Sequence, residues 1–258
     1  MTIALLTDFG TEDGYPAAMK GRILSLAPQA RIVDISHQIE PYNIKQGAFA
    51  LLNSYRHFPA QTIFIAAVDP GVGTKRKCLA VKTALFWFIG PDNGIFSFIY
   101  QLETCEVYSI STQKLPHKIS PTFHARDVFA PIAAKLSIQE NIAPLLSPIK
   151  RVFSFLSVPK KVGDNQYLLE VIHVDHFGNL ILNFHQGDLK QKPRTNGLLS
   201  VEIGKCVLKG PLLTFGSVES GELVLTWDSS NYLQIAQNTG SAQKRLSLGV
   251  GDTLLLRL

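Results

Sequence analysis

The spacing of apolar runs changes character once along the chain, and that change limits the folds open to it. Up to about residue 150, strand-length and helix-length runs alternate: Ile3 to Leu6, a helical pattern from Tyr15 to Leu26, Arg31 to Ile35, a second helical pattern from Ile44 to Tyr55, then Thr62 to Val68. Strands alternating with helices predict a mostly parallel sheet covered on both faces. From about residue 165 only short alternating runs remain: Gln166 to Val174, Leu180 to Phe184, Leu198 to Ile203, Lys205 to Leu208, Glu222 to Trp227, Tyr232 to Gln237 and Thr253 to Leu258. That texture predicts a compact antiparallel β domain. The fold class expected is therefore α/β, with a layered N-terminal domain over 1–150, a linker over 151–164 and a smaller β domain over 165–258.

A chain of 258 residues with 46% apolar content can bury a sizeable core. Its formal net charge of +5 raises the question of a nucleic-acid partner, but Lys and Arg are scattered and no basic run exceeds Lys75 to Lys77. A plain basic surface is expected, with no nucleic acid bound. The N-terminal residues carry no basic segment, and apolar stretches such as Thr62 to Val68 and Leu85 to Ile89 are too short to span a bilayer. Cys78, Cys105 and Cys206 are odd in number and form no CxxC pair, so neither a disulfide framework nor a zinc ribbon is expected. Together these features predict a cytoplasmic protein without a membrane partner.

Polar loops follow the first three strands: TDFG, DISH and VDPGVG. Open α/β sheets bind ligands at those carboxyl ends. VDPGVGTKR (68–76) predicts a tight loop that holds Asp69 at the strand end and presents Arg76 seven residues later. It contains no phosphate-loop pattern. TFHARDVFAP (122–131) sets His124 at the start of a helix. On spacing alone, Asp69 reads equally as a turn residue and His124 as a packed core histidine. In HVDHFGN, strand alternation sends His173 and Asp175 to one face and His176 to the other, which argues against a metal site. Asn93 and Gly94 of PDNG read as residues that accept unusual backbone angles.

These segments share one order, TDFGTEDGYPAAMKG, VDISHQI, VDPGVGTKR, PDNG, TFHARDVFAP, VDHFGN and SSNYLQIAQNTGSA. In that order the chain resembles the S-adenosyl-L-methionine (SAM) hydroxide adenosyltransferases, relatives of the SAM-dependent fluorinase and chlorinase. The resemblance implies a β-barrel-like C-terminal domain and a homotrimer whose sites form between subunits. It also implies hydrolysis of SAM to adenosine and L-methionine, with SAM as substrate and neither metal nor separate cofactor. Asp69, Arg76 and His124 match the residues assigned to water activation in that family. Asp8 matches a ribose-binding carboxylate and Asp13 one near the methionine end. Asp175 and Ser229 match partners of the amino-acid group. Asn179 and the stretch Gln237 to Thr239 match adenine readers, Phe177 and Phe215 supply flat apolar surface, and Tyr232 completes the substrate-binding set. Ser230 stands where the halogenases carry an Arg for the methionine carboxylate, and Pro16 departs from the hydrolase motif. Ala125 removes a halide-contacting Ser.

The chemistry is consistent with that set. Displacement at C5′ of a sulfonium releases a neutral thioether, so the leaving group needs no proton and catalysis reduces to making and aiming a nucleophile. Arg76 can stabilise hydroxide by a charge-assisted hydrogen bond. His124 is expected to accept the water's proton, with Asp69 orienting either partner. The alternatives are a SAM-dependent halogenase, a non-catalytic adenosine- or SAM-binding protein, and a structural trimer without a ligand.

Overall fold

The computed structural model describes residues 1–189, 199–204 and 206–258, so Leu198 and Lys205, the expected starts of two strands, lie outside the described residues. The chain forms two compact units, Met1–Phe155 and Leu156–Leu258.

The first unit is built on seven strands: β1 (Thr2–Thr7), β2 (Arg31–Ser36), β3 (Ile63–Ala67), β4 (Cys78–Lys82), β5 (Trp87–Pro91), β6 (Glu106–Ile110) and β7 (Leu146–Pro148). Their order is β2-β1-β3-β5-β4-β6-β7. The β2-β1, β1-β3 and β3-β5 pairs are parallel. β4 runs against both of its neighbours, and β7 runs against β6. The sheet is thus mostly parallel, with an antiparallel insertion that the sequence pattern did not predict. The helices are α1 (Tyr15–Leu26), α2 (Ile44–Tyr55), α3 (Ser97–Leu102) and α4 (Ala130–Ser137).

Both faces of the central strands are buried, which is why β1 and β3 read as continuous apolar runs rather than alternating ones. Ile63, Ile65 and Ala67 pack with Met19 and Ile23 of α1 and with Ile132 and Ala133 of α4. Phe64, pointing the other way, stacks on Phe88 at 5.0 Å, and Tyr55 of α2 meets the Phe88 edge at 5.7 Å. This packing clamps β3, and Asp69 follows two residues after the strand's carboxyl end.

The second unit carries β8 (Lys160–Gly163), β9 (Gln166–Val174), β10 (Leu180–His185), β11 (Leu199–Ile203), β12 (Cys206–Gly210), β13 (Leu223–Trp227), β14 (Tyr232–Gln237) and β15 (Thr253–Arg257), with a short helix α5 (Ala242–Leu246). The ladder β12-β11-β15-β9-β10-β14-β13 is antiparallel throughout. Its two ends approach one another where Leu212, just past β12, bridges Thr226 of β13, giving a nearly closed barrel around Leu169, Leu182, Leu225, Ile235 and Leu256. The segment expected as linker is not free of structure. β8 lies within it and pairs with β9, because Asp164 and Asn165 form a tight turn that folds the chain straight back.

Candidate active site

Asp69 and Arg76 bracket a tight loop at the end of β3. Gly73 holds a left-handed backbone (φ 77°), and a Cβ there would lie 2.4 Å from the Pro121 carbonyl oxygen. Only glycine lets this loop approach the 120–124 segment so closely. Asn93 supports the same strand end: its side-chain amide donates to the Val68 carbonyl at 2.8 Å. Gly94 does adopt positive φ, but Asn93 does not, so Asn93 is there for its amide rather than for backbone freedom.

The loop returns into β4 with the Arg76 guanidinium folded onto the Asp69 carboxylate. Nε donates to Oδ1 at 3.0 Å, and Nη2 donates to Oδ2. Both side chains are only 9% exposed. Nη1 donates to Cys78 Sγ at 2.9 Å, and the guanidinium lies 5.7 Å from the Phe129 ring centre. The third contact reaches across the fold, with Nη2 2.9 Å from His124 Nδ1. The sequence reading therefore named three residues that the fold brings together. It missed Cys78, whose only signal was its place two residues after Arg76 on a buried strand.

His124 caps a π-helical turn, Ala125–Phe129, that runs into α4, with the Ala130 N–H bonding the Ala125 carbonyl. Such turns are frequent at functional sites. Asp127 anchors this turn by accepting from the Ser120 N–H at 2.8 Å and from Arg126 at 2.7 and 2.8 Å.

Burial opposes the Arg76 charge, but Asp69 and Cys78 together outweigh that effect and hold the guanidinium pKa above its ordinary value. Burial likewise pushes the Cys78 thiol up, against the pull of Arg76. For His124, burial and then the Arg76 charge lower the pKa below the usual histidine value, against weaker pulls from Asp69 and Asp127. The imidazole is therefore neutral at neutral pH. Because Arg76 can only donate, Nδ1 must accept and the ring proton sits on Nε2. Nδ1, the accepting nitrogen in this tautomer, is engaged by the Arg76 guanidinium.

Two other sequence candidates belong to the first unit. Asp8 follows β1 and accepts the Tyr42 N–H at 2.9 Å, and Asp13 is exposed just before α1. In the second unit, Asp175 sits in the turn between β9 and β10. It accepts from the Phe177 and Asn179 N–H groups at 2.9 and 2.8 Å and from the Asn179 amide at 2.8 Å. Phe177 and Phe215 are exposed, at 73% and 45%. Ser229 is exposed on the turn into β14. Gln237 donates to the Gly221 carbonyl at 2.8 Å, and Thr239 adopts positive φ on the surface. Tyr232 lies inside the second unit. It is 1% exposed, with its ring 5.0 Å from that of His185, so its side chain is part of the barrel wall. Ring packing at the start of β14 explains the burial. Among the described residues no group of three metal-ligating side chains occurs, and no helix is long and apolar enough to cross a membrane.

Comparison with known proteins matches residues 3–145 to the SAM hydroxide adenosyltransferase N-terminal domain and residues 169–255 to the C-terminal domain of that family. A curated (R)-S-adenosyl-L-methionine hydrolase of Salinispora tropica is 34% identical, over 98% of this chain and 96% of its own. A fluorinase of Nocardia brasiliensis is 27% identical, over 99% of this chain and 96% of its own. The crystal structure of a conserved protein from Thermotoga maritima superposes with a TM-score of 0.85 at 33% identity, covering 99% of this chain and all of that one.

Proposed function

The chain belongs to the SAM hydroxide adenosyltransferase family, and on that premise we propose that it hydrolyses S-adenosyl-L-methionine to adenosine and L-methionine, with Arg76 and His124 holding the attacking oxygen. The observation that carries this reading is the 2.9 Å contact between Arg76 and His124. It sets a permanent cation and a neutral imidazole side by side at the carboxyl end of the sheet, where α/β proteins bind ligands. Asp69 fixes the guanidinium through two parallel bonds, so little reorganisation is needed when charge develops on the nucleophile.

Attack forms a bond from the oxygen to C5′, the C5′–S bond breaks, and its electron pair stays on sulfur as methionine leaves uncharged. Aligning the nucleophile with that bond can lower the barrier by as much as ~7–11 kcal/mol, which exceeds what one proton transfer supplies. Asp8 holds the ribose, its carboxylate oriented by the Tyr42 N–H. Asp13 lies toward the methionine end. Asp175 and Ser229 take the amino-acid group, and Asn179, Phe177, Phe215, Gln237 and Thr239 form the adenine side. The proposed assembly is a cytoplasmic homotrimer in which different subunits supply these two sets.

Incubation with SAM followed by chromatography tests the reading. Adenosine and methionine in equal amounts support it. A halogenated adenosine formed only with added chloride or fluoride favours the halogenase, which His124 and the buried Ala125 argue against. Adenosine bound but never released as product favours a sensor.

A further inference from the structure

We propose that His37 is a positioning residue for the substrate, fixing the turn after β1 so that the Asp8 carboxylate meets the ribose at a set angle. The inference rests on the ribose role given to Asp8 above and adds the residues that aim it.

The register of β1 against β2 leads to it. Leu5 pairs with Asp34 but Leu6 pairs with Ser36, so β2 carries one extra residue near its end. An unbroken ladder would set Ser36 opposite Thr7. The shift brings His37 there instead, and such irregularities re-aim side chains. The His37 ring, buried at 6% exposure, reaches the fully buried Thr7 hydroxyl with Nδ1 at 2.8 Å. That hydroxyl also accepts the Phe9 N–H at 3.3 Å. On the far side of the ring, Nε2 lies 3.1 Å from Asp34 Oδ1 in a bent approach, and Lys20 holds the other Asp34 oxygen at 2.6 Å. Burial pushes the Asp34 carboxyl up, but Lys20 and His37 outweigh it and keep the pKa below its ordinary value. An ionised carboxylate can only accept, so it favours a ring proton on Nε2. A chain of polar contacts therefore runs from a surface ion pair, through a buried imidazole, to the Phe9 N–H.

His37 also acts through its backbone. Its carbonyl accepts the Gly10 N–H at 2.8 Å, where Gly10 turns with φ 66°. Gln38 donates to Thr11 Oγ1 at 3.3 Å, and the Tyr42 N–H reaches Asp8 Oδ2. Asp8 thus sits between two residues, Thr7 and Phe9, that this chain of contacts holds, while its Oδ1 has no partner among the described residues. An apolar pair at positions 7 and 37 would fill the same space without the cost of desolvating polar groups. What the polar pair supplies is direction, because a satisfied buried network admits one arrangement of the turn. Misplacing a substrate-holding group by about 1 Å can cost on the order of 10²-fold in rate.

Amide hydrogen exchange and adenosine titration of the full-length protein test it, with His37→Leu and Thr7→Val removing the contact and Thr7→Ser retaining the hydroxyl. Thr7→Val keeps the buried shape, so it reports even if His37→Leu does not fold. Exchange is read without ligand or turnover, so its failure is distinct from failure of the hydrolytic reading. In Thr7→Val and His37→Leu the Phe9 and Gly10 amides are expected to exchange about 3- to 10-fold faster than in the parent, and the adenosine Kd to rise by a similar factor. Thr7→Ser should stay close to the parent in both. Because the effect is routed through Asp8, Thr7→Val should add less than about twofold to the adenosine Kd of Asp8→Ala. Exchange at Phe9 and Gly10, or adenosine affinity, left unchanged in a folded Thr7→Val protein overturns the proposal. So does an equal loss of adenosine affinity with and without the Asp8 carboxylate, which marks Thr7 and His37 as structural only.

Discussion

Arg76 Nη2 and His124 Nδ1 lie 2.9 Å apart although 48 residues separate them in sequence. Two devices make the contact. Gly73 lets the first loop pass against the Pro121 carbonyl, and the π turn after His124 presents the imidazole at the mouth of its helix.

Lysine cannot reproduce what Arg76 does, because one ammonium replaces a planar fork that reaches Asp69, Cys78 and His124 at once. Arg76→Lys is expected to lower kcat by about 10²- to 10³-fold, the cost of removing one pre-organised donor to a developing anion. SAM affinity should change little. Single-turnover kinetics beside a binding titration separate the two.

The role proposed for Asp8 is to hold the ribose, the part of the substrate that survives in the product. Asp8→Ala should therefore weaken adenosine and SAM alike, by about 10- to 100-fold for loss of a charged hydrogen bond. Calorimetry with adenosine checks it, and unchanged adenosine affinity removes Asp8 from the ribose.

Gly73→Ala combines a left-handed backbone with a collision against the Pro121 oxygen. It is expected to cost about 1–3 kcal/mol of stability and to reduce turnover by separating Arg76 from His124. Gly251→Ala is the control. Its φ is 96° but a Cβ there meets nothing within 4 Å, so urea denaturation should show strain with turnover preserved.

In the second unit, burial lowers the His173 pKa to about 4 and raises that of Asp228 to about 6. The signs oppose. As pH falls from the usual histidine value toward about 4, the unfolded chain gains a proton that folded His173 refuses, so stability drops. As pH falls through about 6, folded Asp228 gains a proton that the unfolded chain does not yet hold, so stability rises. The two contributions largely cancel between about pH 6 and 4. His173→Gln should make stability rise relative to the parent on acidification across that window, and denaturation midpoints at stepped pH show whether it does.

The elements with undisturbed periodicity were legible in the sequence. The α1 and α2 helices and the β9 and β14 strands fall where the apolar spacing places them. The β4–β5 hairpin was not legible, because Cys78–Lys82 is buried on nearly every residue and carries no alternation to reveal its direction. Asp69, Arg76 and His124 could be named from motifs, but their mutual contact depends on the Gly73 approach, which spacing alone does not encode. Cys78 escaped notice because a single buried cysteine reads as core. The motif around Tyr232 gave no sign that its ring turns inward against His185.

The source of the oxygen in the product tests the central claim most directly. With SAM turned over in water enriched in heavy oxygen, the account predicts adenosine whose 5′-hydroxyl carries the label, with methionine unlabelled, by mass spectrometry of the separated products. Adenosine without label, or label in the methionine instead, would contradict attack by a solvent-derived oxygen on C5′.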